Sequence, residues 1–124
     1  MRIANFKLFI LSTVIVLLSA CATMTKVDNL NNNYQAKAKD CEIQFYKEAK
    51  PQKKFEVLGK IESHIKKNFF FGGKVQLEDE AFKELRSNAC QLGGDAVIID
   101  DSVQISAAEM THVHVWATVI KYYK

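Results

Sequence analysis

Apolar and polar positions change rhythm several times along the chain. Residues Leu8 to Ala20 (LFILSTVIVLLSA) form an uncharged run behind Arg2 and Lys7. Residues 22–40 have no apolar period and carry four Asn, with Met24, Val27, Leu30 and Tyr34 as their only larger apolar or aromatic residues. From Cys41 a period of two sets in: Cys41, Ile43 and Phe45 alternate with Glu42, Gln44 and Tyr46, the pattern of a half-buried strand. Pro51 and four Lys mark 47–54 as a turn facing water. Phe55, Val57, Gly59 and Ile61 then alternate with Glu56, Leu58, Lys60 and Glu62, a second strand.

From Glu78 the period becomes helical, with Ala81, Phe82, Leu85, Ala89 and Leu92 on one face. Glu78, Asp79 and Glu80 would sit in its first turn, where the helix dipole favours negative charge. Gly93 and Gly94 close it, because a left-handed residue after the last turn is cheap only for Gly. Ala96–Ile99 is short, branched and apolar on both faces, as a central strand is. Val113, Val115, Ala117 and Val119 alternate with His112, His114, Trp116, Thr118 and Ile120 in the last strand. The predicted class is α+β: a small four-stranded sheet in the order β-β-α-β-β, with one helix packed on a face. These rhythms divide the chain into an apolar leader over 1–20, a flexible tether over 21–40 and the α+β domain over 41–124.

Composition narrows the function classes. With 124 residues, 48% apolar and 25% charged, the chain holds one domain at most and is too apolar to be wholly disordered. The net charge of +3 is small and evenly spread, which argues against a nucleic-acid partner. Removing residues 1–20, with Arg2 and Lys7, leaves 15 basic residues against 14 acidic. No charge-driven partner is implied.

A basic start, an apolar run of about a dozen residues and then small residues define a secretory signal, too short to serve as a comfortable membrane span. It ends Leu18-Ser19-Ala20-Cys21, which resembles the bacterial lipobox. That resemblance implies diacylglycerol on the Cys21 sulfur, cleavage between Ala20 and Cys21, and a further acyl chain, such as palmitate, on the new α-amine. Ala22, where an Asp would resemble an inner-membrane retention signal, implies the outer membrane. Three acyl chains, at ~0.8 kcal/mol per buried methylene, anchor firmly without a spanning helix. A flexible tether from 22 to 40 would reach roughly 25 Å and lift the domain off the lipid.

Setting Cys21 aside leaves Cys41 and Cys90. Behind a secretion signal an even pair reads as a disulfide, with two free thiols or a metal pair as alternatives. Cys90 lies off the apolar stripe of Phe82, Leu85 and Leu92, so it would reach sideways to an edge strand.

The stretch Ala81–Ile99 (AFKELRSNACQLGGDAVII) resembles a helix-to-strand pattern of small bacterial envelope lipoproteins, including relatives of the Rcs stress sensor RcsF, and of the YbjQ-like domains described as heavy-metal-binding. The matching residues are Leu92, Gly93, Gly94, Asp95, Ala96 and Val97. The resemblance implies an α+β fold and an envelope location. This chain has one possible disulfide rather than two and no Pro-rich segment before the domain, so it departs from the Rcs sensor itself.

Three further features could carry function. His112 and His114 share a face of the last strand and could hold copper or zinc, with Asp100, Asp101 and His64 as further donors; the plainer reading is that they cover a partly wet sheet face. Phe69, Phe70 and Phe71 beside Gly72-Gly73 would form an apolar patch for a partner or lipid, or plug the open face of the sheet. No G-x-S-x-G, P-loop, H-E-x-x-H or C-x-x-C motif occurs, and Ser63-His64 adjacency makes no triad, so no enzyme is expected. The expectation is an outer-membrane lipoprotein that holds no cofactor. Its domain, facing the periplasm or the surface, would act in protein interaction, envelope structure or stress sensing. The alternative is a metal-binding envelope domain. Its partners would be the membrane, through the anchor, and an envelope protein, with no small-molecule substrate in view.

Overall fold

The alternation that ends the chain becomes strand β5 (Met110–Tyr122), and it forms the middle of the sheet. A computed structural model describes residues 22–31, 33–68, 74–107 and 110–124. Its other elements are β1 (Ala22–Asn29), β2 (Gln44–Tyr46), β3 (Phe55–Asn68), α1 (Lys74–Gln91) and β4 (Ala96–Ala107). The sheet order is β1-β3-β5-β4-β2. β2 runs parallel to β4, and the other neighbours are antiparallel. The α+β class stands, with five described strands rather than four.

One face of the sheet takes the helix. Ile61 and Ile65 of β3, Val113, Val115, Ala117 and Val119 of β5 and Val97 of β4 pack with Leu77, Ala81, Leu85 and Ala89 of α1. At ~25 cal/mol per Å² of buried apolar surface, this single layer is the main source of stability in a domain so small. Phe45 and Phe82 lie at its margin, partly buried.

The second predicted strand keeps its place, and from Gly59 on its parity, with Ile61 buried and Lys60 exposed; before Gly59 the parity departs. Val57 is 39% exposed, whereas Leu58 is fully buried. A register shift between Val57 and Gly59 inserts one extra residue, turning Leu58 inward and resetting the alternation that follows. Gly59 lies against β1: a Cβ there would come within 2.6 Å of the Asp28 carbonyl oxygen.

The helix begins at Lys74, so Glu78, Asp79 and Glu80 stand beyond its first turn and the dipole argument for them fails. Its end is as predicted, with Gly93 at φ 78° and Gly94 following. A side chain at Gly94 would strike Val119 Cγ1 at 2.5 Å, because the chain turns there hard against the sheet.

The largest correction concerns 21–40. Residues 22–29 are a strand, paired antiparallel to β3 from Ala22 opposite Lys66 to Asn29 opposite Gly59. Residues 25–29 are all exposed. An edge strand that no layer covers has no reason to alternate, which is why its sequence reads as a tether. The chain beyond it is tied down as well. The Leu30 and Asn31 amides donate to the Leu58 carbonyl, and the Lys37 amide donates to that of Cys90 at 2.8 Å.

Candidate functional site

The face of the sheet away from α1 gathers all three histidines of the chain. The register sets His64 opposite His114, and Lys66 opposite His112. On the other side of β5, Val103 lies opposite His114 and Ile105 opposite His112. The rings form a column. His64 stacks between His112 (centroids 5.5 Å apart) and His114 (4.8 Å), and His114 stacks on Trp116 at 3.8 Å. His64 Nε2 and His112 Nδ1 are 3.2 Å apart, within hydrogen-bond reach of each other. His114 Nε2 binds the Glu62 carboxylate.

His112 and His114 thus do not pair with each other; His64 stands between them. Asp100 and Asp101 do not join the histidines as ligands. Asp100 accepts a 2.7 Å hydrogen bond from the Thr118 hydroxyl and a longer contact from Lys60, and Asp101 lies opposite Trp116. Among the described residues, no three His, Cys, Asp or Glu side chains converge as metal ligands. The His64–His112 pair supplies two donors, short of the three or four protein ligands that zinc sites use. Partial burial, with the charges of His114 and His112, pushes the His64 pKa below its usual 6.5.

A second feature was not legible as a site. Between β2 and α1 runs a groove of about 730 Å³. Phe45 and Phe82 form its apolar floor, edge to face at 5.1 Å. Lys47 Nζ stands 4.6 Å above the Phe82 ring, and the Arg86 guanidinium 5.8 Å from that of Phe45. Lys39, Lys83, Asp79 and Glu84 complete a mixed-charge rim. Sequence periodicity assigns Phe45 and Phe82 to the core, and only their three-dimensional position at its margin turns them into a lining. The cations above them gain from the negative faces of the rings.

The predicted disulfide is present. Cys41 and Cys90 are bonded across a Cα–Cα distance of 5.8 Å; Cys90 is fully buried, and its partner lies three residues before the edge strand β2. It ties the start of the β2 segment to the last turn of α1. Close by, Lys37 Nζ binds the Gly94 carbonyl at 2.8 Å and the Asp95 carboxylate at 2.7 Å. Burial alone would raise the Asp95 pKa; the hydrogen bonds from Lys37 and the Tyr122 amide, with the charges of Lys37 and Lys121, hold it below 3.8 instead. Cys21 and Phe69, Phe70 and Phe71 lie outside the described residues. Among the described residues, no helix is long and apolar enough to cross a membrane.

A five-stranded mixed sheet with one helix across a face defines the class of fold. No known family matches the sequence, and no curated protein matches it. Among solved structures, the chain is similar to a Francisella virulence factor, FvfA, seen in an orthorhombic crystal form. The TM-score is 0.52 at 12% sequence identity, over 77% of this chain and 97% of that one. That likeness is one of fold.

Proposed function

We propose that the chain is a bacterial lipoprotein, acylated on Cys21 and held in the outer membrane, whose α+β domain works by binding another envelope protein. The observation that carries the reading is the cysteine arrangement. Cys21 ends a basic, apolar and small-residue leader, and the two cysteines that remain are joined as Cys41–Cys90. A structural disulfide suits an exported chain, since cytosolic thiols are kept reduced. The groove over Phe45 and Phe82 supports binding as the domain's work, because it offers an apolar floor and cations ready to meet an acidic or aromatic side chain. Catalysis has no comparable support. A role in stress sensing, as the resemblance to RcsF relatives implies, belongs to the same reading.

The anchor is tested in cells. Cys21→Ser should abolish incorporation of labelled palmitate and leave the leader uncleaved. Unchanged labelling and processing in that variant would overturn the reading.

A further inference from the structure

The register of β1 places the anchor. Ala22 lies opposite Lys66, Lys66 opposite His112, and His112 opposite Ile105. These four residues form one row across β1, β3, β5 and β4, near the end of the sheet where β3 and β4 stop and β5 begins. Neighbouring strands are about 4.8 Å apart, so Ile105 stands roughly 14 Å across the sheet from Ala22 at the same height along the strands. Cys21 is one peptide unit from Ala22, a Cα step of about 3.8 Å. Its acyl chains would therefore leave the protein at the level of this row.

We propose that this end of the sheet rests directly on the phospholipid surface, with Ile105 in the headgroup layer and Lys66 against anionic headgroups. The inference rests on the lipoprotein reading and deepens it. A strand that starts one residue after the anchor leaves no slack to lift the domain away. What it holds against the lipid suits that place. Ile105 is 55% exposed and Val103 37%, and residues 102–107 carry no charge, the next charged residue in the sequence being Glu109. Lys66 is exposed, and the histidines next to it add no negative charge. Uncharged backbone with an exposed branched side chain enters the interface at little cost, and a cation beside it adds attraction to anionic lipid.

The test uses the full acylated protein in vesicles of phosphatidylethanolamine and phosphatidylglycerol. Trp116→Phe removes the native indole; Ile105→Trp and, separately, Val57→Trp then supply probes at opposite ends of the sheet. Val57 is exposed and nine residues from Lys66 along β3, roughly 30 Å away. Lipids brominated near the headgroup end of the acyl chain should quench and accompany a blue shift of the probe at 105, and leave the probe at 57 unchanged. Equal quenching at both positions, or none at 105 in protein shown by mass to be acylated and bound to vesicles, overturns the orientation while leaving the anchor intact. Absence of acylation overturns both. Hydrogen exchange on the unsubstituted lipoprotein gives a readout that needs no new side chain. Amides of Gln104–Ala107 should exchange more slowly on vesicles than in a soluble, unacylated chain that starts at Ala22, and equal rates count against the proposal.

Discussion

His64 shows how one side chain turns its surroundings into a pH response. Its pKa lies below 6.5 in the fold, so the unfolded chain takes up this proton before the native state does. The contribution of His64 to stability is whole above 6.5 and declines as pH falls through that value, until the native ring is protonated as well. Asp95 acts elsewhere. Its pKa is held below 3.8, so its stabilisation persists at mildly acid pH and is lost only as pH drops through the lower native value. The two windows separate cleanly. Melting temperature measured from about pH 7.5 down to pH 5 should fall less steeply in His64→Gln than in the parent protein. Parallel curves for the two would show that the ring's surroundings do not disfavour its charged form.

At the scale of elements, the disulfide is the tie with the clearest energetic consequence. It joins residues 49 apart and fixes the β2 segment to the buried end of α1. Closing a loop of that length stabilises by ~4 kcal/mol in the chain-entropy model. The double variant Cys41→Ala/Cys90→Ala should lose about that much in urea unfolding, and equal midpoints with and without the bridge would contradict the expectation. This tie was legible, because two cysteines behind a leader leave few pairings. The helix end was legible for a similar reason: Gly93-Gly94 is a local signal, and Gly93 has the positive φ it requires. β5 was legible because one of its faces is buried along its length, which forces the alternation. β1 was not, since a polar strand at an uncovered edge is held by backbone pairing alone and leaves no mark in side-chain pattern. The bulge at Leu58 was hidden because Val57 and Leu58 are both apolar and only the register says which turns inward. The histidine column needed that register too, since His64 and His112 are 48 residues apart and meet only across β3 and β5.

Across the whole molecule the features sort to different regions. The row from Ala22 to Ile105 lies at one end of the strands, and the disulfide lies near the opposite end with the C-terminal turn of α1. The groove over Phe45 and Phe82 opens beside β2, the edge strand farthest in sheet order from β1. A partner seated there would therefore approach without displacing β1, the strand beside the proposed anchor. Arg86→Glu, which puts a carboxylate beside the Phe45 ring, should leave the melting temperature nearly unchanged because Arg86 is exposed. It should also abolish in-cell cross-links that a photoreactive residue at Lys83 makes with the partner. Cross-links that survive the reversal of charge would move the binding surface elsewhere.

The pairing of β1 with β3 also decides how the protein bears tension. If a partner pulls on the globule away from the bilayer, the load enters through the first residue of β1 and runs lengthwise down the strand. The hydrogen bonds between β1 and β3 then share it in shear rather than opening one after another, as they would if the strand were peeled sideways. Eight residues of edge strand, unremarkable as packing, would then become the seam through which the proposed attachment is held.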